Sequence, residues 1–251
     1  MQQKESQVTS HPLAELQKYR KYIKHITRYS LKDWLEPLLV VVNEGYARLI
    51  ICIRYPVIHR VVRRIRAGEA VYHCAYRYIH QMNLLKRFAP LSILEFGSGI
   101  STGVFAAYAR RSGARILTIE DSQVWLENTK KALGEMARLV ELKWIPSRSK
   151  RGDPGRCYYD FTGKEKFDMV FVDGPPLTVD GKKDGSAINS NVIDMIESGL
   201  APKTILIDER DATAQYIAAR YSDLYEPFFR EKKQHFLGYR YHSYFILRGK
   251  R

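Results

Sequence analysis

Acidic residues close a series of short apolar runs from residue 93 onward, and their placement decides what chemistry this chain could do. Glu95 follows Ile93-Leu94, and Glu120 ends Ile116-Leu117-Thr118-Ile119. Asp173 follows Met169–Val172, and Asp208-Glu209 follow Ile205-Leu206-Ile207. Carboxylates so placed can grip ribose hydroxyls, act as a general base, or hold a hard divalent cation through oxygen. Directly after Glu95 comes Gly97-Ser98-Gly99, a turn with almost no side chain, and then Ser101 and Thr102. Glycines let a ligand approach the backbone closely, and a helix N-terminus beyond them presents free N–H groups.

The elements that must position these residues read as alternating strands and helices. Thr102–Arg110 has the pattern of a helix, Ile116–Ile119 that of a buried parallel strand, and Gln123–Leu139 that of a second helix. "VELKWIP" supplies a third strand, Met169–Val172 a fourth that is apolar on both faces, and "KTILIDERDAT" a fifth. "YEPFFR" and "YHSYFILRG" alternate as two antiparallel strands joined near Gly238. That order predicts an α/β fold with an open, doubly wound, mainly parallel sheet. Between the third and fourth strands, "SRSKRGDPGRCYYDFTGKEK" reads as a mobile basic loop. The glycine turn misses a dinucleotide fingerprint, since Thr102 stands at its third glycine position and Gly103 comes one place late. Glu120 lies 21 residues after Gly99, where an acid grips ribose, while a 2′-phosphate would call for arginine.

Residues 1–90 hold 16 Lys/Arg against 6 Asp/Glu, which supplies most of a net charge of +14. Acidic partners are expected from such a surplus. Three scattered cysteines without a C-x-x-C fit a reducing compartment, and the polar first residues lack the apolar core of a signal peptide. A helix is expected over 11–30, and 31–53 approaches the length of a membrane span. Glu36, Glu44 and Arg48 interrupt that span, each costing ~2.5–3.5 kcal/mol near a bilayer centre. "VIHRVVRRIR" sets Val57, Ile58, Val61, Val62 and Ile65 against Arg60, Arg63, Arg64 and Arg66. It suits a helix lying on anionic lipid, or a helical hairpin packed on the following domain or on a second copy of the chain. A further helix covers 70–88; His73 and His80, seven apart without a carboxylate or cysteine, are given no metal, and His235 and His242 read as strand-surface residues. The expected division is a basic helical region, 1–68, and a catalytic domain, 69–251.

"LEFGSG", Glu120, "FVDGPP" and "LIDERD", in that order, resemble the class I S-adenosylmethionine (SAM) methyltransferases. The resemblance implies a Rossmann-like methyltransferase fold of seven strands behind an N-terminal helical extension. It implies a SAM site formed by Glu95, Gly97, Ser98, Gly99, Ser101, Thr102, Glu120, Asp121 and Asp173, with Glu95 oriented toward the methionine moiety. Asp173 with Asp208-Glu209 is similar to the strand-end ligands of metal-dependent O-methyltransferases, Glu209 replacing the usual asparagine. Asp173 and Asp208 are then the catalytic residues, and Asp173, Asp208 and Glu209 could bind Mg²⁺ or another divalent cation. The implied activity is methylation of a hydroxyl on a glycan or small molecule; the basic character of the loops and N-terminal cover points separately to an acidic acceptor, with Lys182 and Lys183 as its contacts. The setting expected is cytoplasmic, peripheral on the inner face of a membrane, with self-association through the N-terminal helices. An RNA methyltransferase fits less well, because no added RNA-binding module is present and "DGPP" lacks an aromatic clamp. A non-catalytic scaffold fits less well because the glycine turn and Glu120 are intact.

Overall fold

The computed structural model describes residues 31–66, 75–149, 155–175, 178–179, 182–183, 187–230 and 242–249. Among the described residues, three helices come first: α1 (Leu31–Arg54), α2 (Pro56–Arg66) and α3 (Ala75–Phe88). Then follow β1 (Ser92–Phe96), α4 (Ile100–Ser112), β2 (Arg115–Glu120), α5 (Gln123–Leu133) and β3 (Glu141–Trp144). The next strands are β4 (Ser147–Ser149), β5 (Arg156–Tyr159), β6 (Met169–Val172), β7 (Thr178–Val179), β8 (Lys182–Lys183) and β9 (Ile188–Asn189). The chain continues with α6 (Ser190–Glu197), β10 (Thr204–Ile207), α7 (Asp211–Arg220), β11 (Tyr225–Phe228) and β12 (Ser243–Leu247).

The expected doubly wound sheet is present, with seven strands in the order β11-β12-β10-β6-β1-β2-β3. β10, β6, β1, β2 and β3 run parallel, and β12 and β11 close the edge antiparallel. Alternation along each strand divides the core in two. Ile93, Ile116, Met169, Phe171 and Leu206 meet α2, α3 and α4 on one face. Leu94, Leu117, Val170, Val172 and Ile205 meet α6 and α7 on the other. The parallel register brings Phe96, Ile119, Val172 and Ile207 to a common edge, so the acids that follow them share one end of the sheet.

The chain separates into two compact units, residues 1–42 and 43–251. The boundary drawn from sequence after residue 68 therefore moves, because residues 43–66 share the core of the sheet. Ile58, Val61, Val62 and Ile65 are all buried there, with α4 and α5 as neighbours. That corrects the lipid-surface reading of α2: the apolar face that would enter a membrane is already covered by this protein, as the hairpin alternative expected. Arg60 and Arg63 stay exposed, and Arg64 donates to the Ala132 carbonyl at 3.2 Å, completing an orphan acceptor near the end of α5. Tyr46, Leu49 and Ile53 of α1 remain exposed. Among the described residues, no helix is long and apolar enough to cross a membrane. The helix expected over 11–30 lies outside the described residues.

The expected basic loop after β3 differs too. β4 and β5 pair antiparallel and β9 adds in parallel, making a three-stranded sheet. Alternation in Arg-Cys-Tyr-Tyr explains it: Cys157 and Tyr159 point inward, and Tyr159 stacks on Phe96 with ring centroids 5.6 Å apart.

Gly103 tests the docking of α2. A Cβ there would stand 2.8 Å from Cγ1 of Val61, so only glycine allows this approach. Gly103→Ala is expected to destabilise the protein by about 1–3 kcal/mol in urea unfolding. Adding Val61→Ala should cost less than the two single losses together; strict additivity would show that the helices do not meet there.

Candidate functional site

The glycine turn is built from below. Glu95 lies on the face of β1 that meets α4 and is wholly buried. Its carboxylate accepts from the Ser101 hydroxyl at 2.6 Å, the Thr102 hydroxyl at 2.8 Å and the Thr118 hydroxyl at 2.7 Å. Thr102 in turn accepts from the Gly99 N–H at 2.9 Å. The structure thus places Glu95, Ser101 and Thr102, all expected at the ligand, in one buried network beneath the turn. Their side chains bond to one another, to Thr118 and to the Gly99 N–H, and the carboxylate shapes the turn that a ligand would meet. Burial pushes the Glu95 pKa up to about 7 against the pull of the three hydroxyls.

The N–H groups of the turn are spent as well. Gly97 donates to the Ile119 carbonyl, Ser98 to Glu120 Oε2 at 2.7 Å, and Gly99 to Thr102. Glu120 accepts further from the Ser98 hydroxyl at 2.9 Å and the Ser122 N–H at 3.0 Å. Its carboxylate therefore sits at the tip of β2 beside the turn, where the sequence placed it. Burial raises its pKa. Asp121 holds the Ser147 hydroxyl of β4 in a short contact, and its carbonyl accepts from the Trp144 indole at 2.9 Å. Trp125, which sequence reasoning missed, donates to the Ser98 carbonyl at 2.7 Å and packs against Gly99. The Ser122 N-cap, which starts α5 three residues earlier, was the available signal for it.

The second turn lies against the first. A Cβ on Gly97 would come 3.0 Å from the Gly174 nitrogen, and one on Gly174 would fall 2.0 Å from the Tyr159 hydroxyl. Asn189 fixes this turn by donating to the Gly174 carbonyl at 2.7 Å while its own oxygen caps α6. Asp173 thereby reaches the tips of the parallel strands with an accessible carboxylate. Its Oδ1 lies 3.8 Å from Arg210, whose guanidinium also grips the Asp173 carbonyl in a short contact. Burial of its surroundings, then the charge of Asp208, push the Asp173 pKa well above the usual carboxylate range.

Asp208 is 3% exposed and pairs with Arg77 of α3 at 3.1 Å. Glu209 meets the same guanidinium in a short contact, and Arg230 stands 3.9 Å from it. The expected metal set of Asp173, Asp208 and Glu209 therefore does not fit a cation: an arginine stands between two of the three ligands. Among the described residues, no group of three or more His, Cys, Asp or Glu is placed to hold a metal ion. His242, expected on a strand surface, is instead fully buried. It stacks on His80 with Nδ1 atoms 3.2 Å apart, and its Nε2 lies 3.9 Å from Asp208. Burial, with the positive neighbours Arg77 and Arg230 and the nearby His80, drives its pKa well below that of a free imidazole, so it is neutral. The side chains of Lys182 and Lys183, and all of His73 and His235, lie outside the described residues.

No family model matches the chain, and no curated protein matches its sequence. Solved structures do match its fold. A candidate O-methyltransferase from Klebsiella pneumoniae is 17% identical, covering 86% of this chain and 100% of its own, with a TM-score of 0.56. An O-methyltransferase from Bacillus cereus in complex with SAH is 14% identical, covering 83% of this chain and all of its own, with a TM-score of 0.52. An SAH-bound methyltransferase from Podospora anserina is 16% identical, covering 77% of this chain and 88% of its own, with a TM-score of 0.53. The architecture is the Rossmann-like methyltransferase fold.

Glu95 makes a prediction of its own. Its pKa in the fold, about 7, lies above the ordinary 4.5. Its favourable contribution is fully present below pH 4.5 and is lost as pH rises through about 7. The loss should be on the order of 3 kcal/mol. Glu95→Gln keeps a polar group against the hydroxyls and removes the titration. Urea midpoints measured at pH 5 and pH 8 should fall more for the wild type than for the variant; parallel falls would place the Glu95 carboxyl in water.

Proposed function

We propose that this protein is a SAM-dependent O-methyltransferase acting on a hydroxyl of a small molecule or glycan. The observation that carries the reading is the glycine turn whose three N–H groups are all satisfied by the protein. A pyrophosphate-bearing dinucleotide needs such groups free. A nucleoside without phosphates suits the site, its ribose hydroxyls replacing the Ser98 hydroxyl on Glu120. The SAH bound by the Bacillus cereus and Podospora anserina proteins of the same fold supports that choice.

Bound there, SAM supplies a methyl carbon on a sulfonium, and its transfer returns the C–S electron pair to sulfur. The chain's part is to position and to move one proton. Glu120 holds the sugar, and the accessible Asp173 carboxylate takes the proton of the acceptor hydroxyl as the O–C bond forms. Its side chain is 41% exposed, which leaves the carboxylate open to an acceptor at the strand tips. Asp208, buried and paired, holds Arg77 rather than touching an acceptor. The free Cys52 and Cys157 accord with a reducing, cytoplasmic setting.

Calorimetry with SAM and SAH should show one site. Glu120→Ala is expected to weaken it at least tenfold, about 1.4 kcal/mol. Transfer of labelled methyl from SAM to a panel of phenolic, aliphatic and saccharide hydroxyls should be lost in Asp173→Asn with SAM affinity kept. A wild type that binds neither SAM nor SAH would end this reading, and undiminished transfer by Asp173→Asn would remove Asp173 as the base.

A further inference from the structure

A divalent cation at the tips of β6 and β10 would need several free carboxylate oxygens on one side of the sheet end. Here an arginine engages two of the acids, Asp208 and Glu209. Arg77 enters from α3, 131 residues before Asp208 in the chain. One Nη lies 3.1 Å from Asp208 Oδ2, and the other meets Glu209 Oε1. The same charge is felt at Asp173, where Arg210 and Arg77 both oppose the upward shift of the carboxyl. Two of the three carboxylates expected to gather a metal, Asp208 and Glu209, thus share one guanidinium, while Asp173 lies 3.8 Å from another, Arg210.

The surroundings are built for it. Asp208 is almost completely buried, and the Arg77 side chain is 17% exposed, so the pair is shielded from water. A buried charge without its partner is strongly unfavourable, which ties each to the other. Glu209 adopts φ +53, a left-handed conformation uncommon for residues other than glycine, and in that conformation its carboxylate meets both Arg77 and Arg230. Asp208 Oδ1 is buried without a hydrogen-bond partner among the described residues, while Oδ2 and Glu209 Oε1 are held by Arg77, so the charge a cation would bring to these two acids is already supplied. The guanidinium stays charged at every physiological pH, and its planar fork can serve two carboxylates at once.

We propose that Arg77 is the resident cation of this site, its guanidinium taking, between Asp208 and Glu209, the place of a divalent metal. The occupancy stands apart from the proposed activity; its consequence, a methyl transfer indifferent to metal and chelator, rests on that reading. Arg77 acts as a positioning residue, fixing the acids beside Asp173.

The test is a Mn²⁺ titration of full-length protein, read by the electron paramagnetic resonance of the free ion, so neither SAM nor an acceptor is needed. Wild type should leave the free-ion signal unchanged up to millimolar Mn²⁺. Arg77→Gln, shown folded by circular dichroism, should take up about one Mn²⁺ per chain, and adding Asp208→Asn should abolish that uptake. Uptake by wild type that Asp208→Asn removes would overturn the inference, as would a folded Arg77→Gln protein that takes up none. Should Arg77→Gln not fold, the wild-type and Asp208→Asn titrations decide alone: no uptake by wild type supports the inference, and uptake lost with Asp208 defeats it. A protein that binds neither SAM nor Mn²⁺ would fail the proposed activity and leave Arg77 in place.

Discussion

The backbone contact between the turns after β1 and β6 is the constraint on which the site depends. Gly97, at φ +92, passes so near Gly174 that neither position has room for a side chain. Tyr159 occupies the space a Gly174 side chain would need, and Asn189 holds the same turn from the other side. With the turns locked together, the backbones that carry the acids beyond them are fixed. Glu120 is pinned by Ser98 and Ser122, while Asp173 is carried to the strand tips on a backbone gripped by Arg210. Such rigidity suits a reaction whose acceleration comes largely from holding reacting atoms in line.

Beneath the contact lies a buried carboxylate that earns its place by satisfying donors. Glu95 gathers three hydroxyls, and through Thr102 it reaches the Gly99 N–H. A charge so buried is normally unfavourable, and the three donors only partly offset the cost, which is why its pKa rises. The conformation of the turn is therefore set by polar bonding from below as well as by glycine above.

Much of this was legible in the sequence, and the misses share one cause. Strand periods and strand-end acids depend on neighbours a few residues away, so the sheet, the two turns and the positions of Glu120 and Asp173 could be read directly. Which way Glu95 points depends on Thr118, 23 residues on, and on the first turn of α4. The fate of Asp208 depends on Arg77, contributed by a helix that precedes the whole sheet. His242 read as a strand-surface residue because alternation does not reveal what covers a face; α3 covers it, with His80 against its ring. Arg210 was the nearest to legible, since it stands inside the run Asp208-Glu209-Arg210-Asp211, where a cation among acids already suggests internal pairing.

The basic helices teach the same lesson with opposite sign. An apolar stripe facing an arginine stripe is what a lipid surface selects, but it is also what any helix needs when it packs on a core and leaves its other side in water. Gly103 separates the two cases physically. A glycine inside α4 weakens that helix by about 1 kcal/mol relative to alanine, and it is offset here by the close approach of Val61 from α2. A helix destined for lipid would need no such notch in its neighbour. The notch ties residues 56–66 to the sheet, so the positive charge on α2 belongs to the outer surface of this unit and the acids at its strand tips draw their counter-charge from Arg77, Arg210 and Arg230 instead.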